Sequence, residues 1–361
     1  MFRSLALSSV TQPLSRPVPG ETPEAYLDAA GYARSARRAA WRRLAFLMSG
    51  QAGFRLDRIP AGAGRVLWIY FGENQIGDAL MDLAPRSLLV EAGLKVDLWA
   101  APTVASLFDG DPWFEHVGSD PSDFARMQYD CAIVLSNKRR PLEQKIRHFR
   151  TLPWVSLHES FTGPNFHRGA FAAQRLADLL GLPLSDGDLQ RHAHQKLRPL
   201  EAPAQGRRQS ARSGIALVVG GVRSDRAYRH WSDVIGELVA SGQTQFSLVG
   251  SENGVNEARA LAATAPRQAR IDDLTGRLSL PETRSAIDAR AAIACPDGGL
   301  MHLALTTGAT LVPLFSAEIA PAWRLPATVT NALQATRNGV EGIASRDVTR
   351  AILIALSAGG H

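Results

Sequence analysis

The sequence predicts an α/β protein made of two doubly wound domains with parallel sheets. Three observations carry that expectation. Short apolar runs alternate with stretches of helical spacing, the scheme occurs twice, and a polar, Pro-rich segment separates the two occurrences. At 361 residues and 45% hydrophobic content, the chain can furnish a core for each domain.

The elements follow in order. Residues 1–64 form an N-terminal extension. Between Ala29 and Leu56 lie six Arg and no acid, with Trp41, Leu44 and Met48 at helical spacing among Arg34, Arg37, Arg38, Arg42 and Arg43. This predicts a basic amphipathic helix, either lying on an anionic membrane surface or packed on the first domain. The first domain spans 65–195, with strands in "RVLWIYF", "KVDLWAAP" and "YDCAIVLS" and one helix in "DALMDLAPRSLLVEAG". Residues 196–212 read as a linker. The second domain, 213–344, repeats the pattern with strands "GIALVVGG", "QFSLVGS", "ARAAIAC" and "TLVPLFS" and helices "WSDVIGELVASG", "NEARALAATA" and "MHLALTTG". A C-terminal helix is expected over 345–361. Strands separated by helices pair in parallel, and ligands of such sheets sit beyond the carboxyl ends of the strands.

Bulk properties set limits. Cys131 and Cys295 lie far apart in apolar stretches, which predicts buried thiols and no disulfide. No apolar run approaches the ~20 residues of a membrane span, and the opening "MFRSLALSSVTQPLSRPVPG" is broken by polar residues and Pro before a signal-peptide core forms. A cytoplasmic protein is expected, peripheral on the inner face of the inner membrane if the basic helix binds lipid. A formal charge of +6 favours anionic partners. The nine His have no zinc-like spacing, the Asp-Gly-Asp triplets at Asp109–Asp111 and Asp186–Asp188 read as turns, and no Walker or dinucleotide fingerprint is present. No metal, cofactor or nucleic acid is expected.

The chemistry concentrates in a few turns. In "CPDGGLMHLALTTGAT" an apolar strand meets a Gly-rich turn that opens a helix, leaving backbone N–H groups for an anion. Such a turn is a candidate phosphate or nucleotide site around Asp297 and His302, with Gly298 and Gly299 clearing space for the backbone. His302 is otherwise a satisfied core histidine. "GGVRSDRAYRHW" puts Gly220 and Gly221 at a strand end, followed by Arg223, Arg226 and Arg229. "NKRRPLEQKIRHFR" offers Lys138, Arg139 and Arg140 after a first-domain strand, as a patch for a phosphorylated ligand or a solvated helix face; under the resemblance given next this patch would bind the acceptor. Asp78, ahead of an apolar helix, reads on its own as a helix cap.

Three segments, in order, carry a resemblance. "DLTGRLSLPETRSAIDARAAIACPDGGLMHLALTTGATLVPLFS", "QIGDALMDLAPRSLL" and "AYRHWSDVIGEL" resemble the motifs of glycosyltransferase family 9, the bacterial heptosyltransferases of lipopolysaccharide core synthesis. The likeness runs from about Arg65 to Ser345. It implies the GT-B architecture, two Rossmann-like domains facing across a cleft, with the donor nucleotide mainly on the second. It implies Asp78 as general base on the acceptor hydroxyl, and Arg229, next to His230 and Trp231, as the cation on the leaving diphosphate. Arg226 is left as a solvated loop residue. Gly220, Gly221, Arg223, Gly276, Asp297, Gly298, Gly299 and His302 fall on the donor side, with Glu252 or Glu257 near the nucleotide ribose. The chain departs from the family in its first loop, "YFGENQIGD", in Asp82, where a small polar residue is usual, in Gly298, where Ser or Thr is usual, and at Ser316 with "AEIAP". The implied activity is an inverting transfer, most specifically of heptose from ADP-heptose onto a lipopolysaccharide core or related anionic glycan. The alternatives are a nucleotide-sugar isomerase of the same shape and a non-catalytic nucleotide-sugar binder.

Overall fold

The computed structural model describes residues 2–71, 75–200, 212–221, 224–337 and 339–358. The chain divides into two compact units, Met1–Arg198 and Pro199–His361.

The first unit opens with helices α1 (Phe2–Val10), α2 (Pro23–Ala30) and α3 (Tyr32–Met48). Thr22 caps α2 by accepting from the Ala25 N–H, and Pro23 occupies a position where a missing N–H costs nothing. Ala6, Val10, Leu27 and Ala36 join the three helices in a small core of their own. Polar bonds fasten them to the rest of the unit: Arg42 Nη1 donates to Thr162 Oγ1 at 2.7 Å and the Ser15 N–H to Asp178 Oδ2 at 2.9 Å.

The sheet that follows comprises β1 (Arg65–Tyr70), β2 (Lys95–Ala100), β3 (His116–Gly118), β4 (Cys131–Val134) and β5 (Trp154–Ser156). Its helices are α4 (Ile76–Asp82), α5 (Arg86–Glu91), α6 (Pro102–Phe108), α7 (Arg139–His148), α8 (Arg168–Leu180) and α9 (Asp186–Ala193). The strands are parallel in the order β3-β2-β1-β4-β5, with Val66 beside both Val96 and Cys131. The "DALMDLAPRSLLVEAG" stretch is two helices, not the single one expected. Pro85 has no N–H to continue α4, and the chain turns at Leu83–Pro85 before α5 begins. Strands β3 and β5 have three residues each, too few to register as alternation in sequence.

The second unit has β6 (Ile215–Val218), α10 (Trp231–Ala240), β7 (Gln245–Val249), α11 (Val255–Thr264), β8 (Arg270–Asp273), α12 (Leu280–Asp288), β9 (Ala292–Pro296), α13 (Gly299–Ala304), β10 (Thr310–Phe315), β11 (Leu333–Gln334) and α14 (Ser345–Ala358). Its sheet is parallel in the order β11-β10-β9-β6-β7-β8. Trp231, Tyr228 and Ile235 are buried against β6, and Val348, Ile352 and Ala355 of α14 close the same core. Ser279 and Glu282 cap α12 reciprocally, which fixes its start.

Both sheets follow one rule. The first strand of each unit lies beside the fourth, β1 by β4 and β6 by β9, and strand order reverses between them. Segments leaving the carboxyl ends of those two strands diverge to opposite faces and open a crevice where α/β sheets bind ligands.

Candidate active site

In the first unit the crevice is flanked by α4, which follows β1, and by the start of α7, which follows β4. Asp78 sits in the first turn of α4 but does not cap it. Gln75 occupies the cap position without a side-chain bond, and the Asp78 carboxylate instead meets Arg168 Nη1 at 3.0 Å, with 20% of its side chain exposed. Residues 72–74 of the preceding loop lie outside the described residues.

One helical turn on, Asp82 is completely buried. Two carboxylates four residues apart on one helix face repel unless a cation lies between them, and Arg168, the first residue of α8, is that cation. Its Nε and Nη2 donate to Asp82 at 2.7 Å each while Nη1 reaches Asp78. Tyr70 OH donates to Asp82 at 2.9 Å, and His158 Nε2 lies 2.9 Å from it, necessarily as donor because an ionised carboxylate only accepts. Burial opposes the charged form of Asp82, but Arg168 and His158 outweigh it and hold the carboxyl well below its usual range. Burial lowers the His158 imidazole despite its acidic partner. His158 also stacks on Phe171, with ring centroids 4.7 Å apart.

The same Arg168 and His158 wall a cavity of ≈ 420 Å³ with Lys138, Arg140, Phe161 and Phe166. Lys138 occupies the N-cap position of α7 without a side-chain bond to the helix, and Arg140 lies in its first turn. Arg139, also expected in this group, is exposed and not part of the cavity lining. The cavity therefore collects cationic and aromatic side chains, a lining suited to an anionic group attached to an apolar or sugar body.

In the second unit the crevice lies between the segments after β6 and β9. Asp297 follows β9 directly and is buried, and Arg226 reaches it from the β6 side, Nη1 to Oδ2 at 3.4 Å. Arg229 points elsewhere: 69% of its side chain is exposed and its Nε pairs with Glu341 at 2.9 Å. Of the two arginines, Arg226 is therefore the one in contact with the Asp297 turn. Arg223 lies outside the described residues.

Gly298 and Gly299 lead into α13, whose His302 is 3% exposed. Gly298 has an extended backbone, and a Cβ there would meet nothing closer than the Pro296 carbonyl at 3.9 Å. Gly220 is different. Its φ is +77°, and a Cβ would fall 2.6 Å from the Gly254 Cα, so two backbones touch there. The Gly220 N–H is occupied as well, donating to Glu257 Oε2 at 3.1 Å. Gly221 is exposed beyond it. Glu257 is half-buried and burial raises its carboxyl, while Glu252 is exposed at the turn after β7. Gly276, also left-handed, packs against Val255 and the Glu252 backbone. Among the described residues no three His, Cys, Asp or Glu side chains gather in a way that would hold a metal ion.

Sequence reasoning missed Arg168, His158 and Tyr70, and marked Asp82 only as a departure. The acidic pair at Asp78 and Asp82 was a usable signal: on an apolar helix it demands a buried cation. Which cation supplies it is decided by tertiary contact, some ninety residues downstream.

Residues 170–341 match glycosyltransferase family 9 (heptosyltransferase). No curated protein matches the chain in sequence. Among solved structures, a family 9 glycosyl transferase from Veillonella parvula is 14% identical with a TM-score of 0.64, covering 82% of this chain and 97% of its own. The E. coli heptosyltransferase WaaC, solved with ADP, is 17% identical with a TM-score of 0.60, covering 81% and 99%. The ADP-heptose heptosyltransferase II of E. coli is 17% identical with a TM-score of 0.53, covering 82% and 100%. At such identities the likeness speaks for the fold, and both sheets share it. The sequence match runs from α8 through the Arg226 and Asp297 turns to Glu341, just under half of the chain, and makes that stretch similar to glycosyltransferase family 9.

Proposed function

We propose that this glycosyltransferase moves a sugar, heptose from ADP-heptose, onto the anionic core of a lipopolysaccharide or a related glycan, with inversion at the anomeric carbon. The observation that carries the reading is the charge on the two crevices: a carboxylate oriented by Arg168 after β1, and a cation bonded to Asp297 after β6. An inverting transfer uses both. Asp78 takes the proton of the acceptor hydroxyl, the oxygen attacks the anomeric carbon, and the bond to the diphosphate oxygen breaks, leaving negative charge on the nucleoside diphosphate. Arg226 receives that charge, with Asp297 and His302 toward the sugar. Glu257, half-buried beside Gly220, takes the ribose in preference to exposed Glu252. Lys138, Arg140 and the cavity they wall hold the anionic acceptor. E. coli WaaC, which shares the fold, was solved with ADP and with a fluorinated ADP-heptose, in keeping with that donor. The proposed workplace is the inner face of the inner membrane.

The assignment of Arg226 over Arg229 is the sharpest point to test. Arg226→Ala is expected to reduce single-turnover rate at least ~10-fold beyond any loss of donor affinity, and Arg229→Ala to stay within about twofold of wild type. The reverse ranking would return the diphosphate to Arg229. Product analysis with and without acceptor tests the reaction class, since an isomerase consumes nucleotide sugar without acceptor and a binding protein consumes none.

A further inference from the structure

Helix α3 packs Phe46 against Trp154 of the first sheet but turns four other large apolar side chains outward. Its buried positions are small, Ala36 and Ala39, whereas Trp41, Leu44, Leu47 and Met48 are 67, 46, 57 and 78% exposed. These are four of the seven exposed large hydrophobics among the described residues, and the other three, Val90, Leu182 and Ile354, sit singly on separate elements. Scattered exposure needs no explanation; a contiguous stripe does.

The stripe continues in charge. Counting by threes and fours from Trp41 toward the N-terminus gives Arg38, Arg37 and Arg34, all exposed, so one face runs from three guanidiniums into Trp41, Leu44 and Met48. No acid lies between Ala29 and Leu56; the nearest upstream are Glu24 and Asp28 on α2. Arg42 is not part of this face, because it turns inward to Thr162. The helix is held along its other side by the core it shares with α1 and α2, so the face is fixed and its burial partner lies outside the unit.

We infer that this face docks the enzyme on an anionic lipid surface. The uncovered side needs a partner that is negative at one end and apolar just beneath, which is the profile of a phospholipid headgroup layer over acyl chains. Trp41, Leu44, Leu47 and Met48 enter the headgroup boundary, where indole rings and short apolar stripes partition, and Arg34, Arg37 and Arg38 pair with lipid phosphates. At about 1.5 Å per residue the 17-residue helix is roughly 25 Å long, enough to lie in the plane. Among the described residues no helix is long and apolar enough to cross a membrane. A nucleic acid would answer the arginines but leave the aliphatic stripe exposed. The inference deepens the proposed function, since the lipid-docking helix belongs to the unit that carries Asp78, but its test requires neither donor nor acceptor.

The full chain should co-sediment with vesicles of phosphatidylcholine and phosphatidylglycerol in equal amounts, and only weakly with phosphatidylcholine alone. Replacing Arg34, Arg37 and Arg38 together by Ser should weaken binding roughly a hundredfold. Replacing Trp41, Leu44 and Met48 together by Ser should weaken it at least ~10-fold. Exposed positions make both triple variants fold normally, which melting temperature checks. The inference fails if the wild-type chain stays in the supernatant with the anionic vesicles, or if either triple variant binds as well as wild type. It fails equally if light scattering shows a dimer that the apolar triple variant abolishes, which would mean that a second copy covers the stripe. Activity on a soluble acceptor fragment should survive both triple substitutions. A wild-type chain that transfers sugar but stays in the supernatant would overturn the lipid face and leave the glycosyltransferase reading intact, and one that binds vesicles but transfers no sugar would do the reverse.

Discussion

The most exposed claim about the first-unit site is that Asp82 is an electrostatic anchor and not a spectator, and Asp82→Asn tests it. The native carboxylate collects four donors within 2.9 Å, two of them from Arg168. Asparagine keeps the volume but removes the charge and can accept at one oxygen only. Arg168, with 17% of its side chain exposed, then retains Asp78 as its one acidic partner at 3.0 Å. Removing one partner of a buried pair costs about 3–5 kcal/mol, and the surviving contact with Asp78 brings the expected loss to the lower end, about 3 kcal/mol. For a unit the size of Met1–Arg198, at roughly 2–4 °C per kcal/mol, the melting temperature should fall by about 6–12 °C.

Its pH dependence is more discriminating. The folded Asp82 carboxyl lies below its ordinary value of about 3.9, so the stabilisation is fully present above that value and is lost as pH falls through the lower, folded one. Scanning calorimetry of wild type and Asp82→Asn should show a gap that is flat from about pH 5 to 8 and narrows only in stronger acid. A double variant, Asp82→Leu with Arg168→Met, should recover stability relative to either single change, because it removes both buried charges together. A drop of less than about 1 °C for Asp82→Asn, or a gap that varies across neutral pH, would refute the anchor.

Asp78→Asn should cut turnover roughly a hundredfold while donor affinity, measured by calorimetric titration, persists. Gly220→Ala should lower the melting temperature and weaken nucleotide binding, because its φ of +77° and the Gly254 Cα at 2.6 Å leave a methyl no room. Gly298→Ser, by contrast, should leave stability within about 0.5 kcal/mol of wild type by denaturant titration, since nothing lies within 3.9 Å of the new Cβ.

The architecture was legible because long central strands announce themselves: β1, β2, β9 and β10 are five- or six-residue apolar runs bounded by turn residues. The strands that escaped notice, β3, β5, β8 and β11, have two to four residues and lie toward the sheet margins, where pairing with a neighbour, not local pattern, makes them strands. Site chemistry followed the same division. Asp297 was marked as a candidate by the Gly-rich turn beside it and Asp78 by the family resemblance, both carried by local motifs. Arg168 was not, because its role is set by two carboxylates that reach it only after folding. Between Arg226 and Arg229 the sequence offered two guanidiniums three residues apart, and the choice depended on where the chain bends between β6 and α10. The bend turns Arg226 to Asp297 and leaves Arg229 to Glu341.

The repeat of one strand order in both units explains why most of the candidate site residues fall in a few segments. Four turns leave the strands that flank the two reversal points: Gln75–Asp82 after β1, Asn137–Arg140 after β4, Gly220–Arg229 after β6 and Asp297–His302 after β9. Turns after β7 and β8 lie one and two strands further out, and their glycines serve packing, as Gly254 does against Gly220 and Gly276 against Val255. A residue in the first group can change chemistry while the sheet stays intact, whereas one in the second alters the wall on which the first group rests. The departures from the family pattern divide accordingly. Asp82 lies on a segment of the first group, yet its carboxylate is spent on Arg168, His158 and Tyr70, so it acts on chemistry only through the guanidinium it shares with Asp78. That sharing is why a buried acid one turn away from the candidate base belongs to the site, although no substrate can reach it.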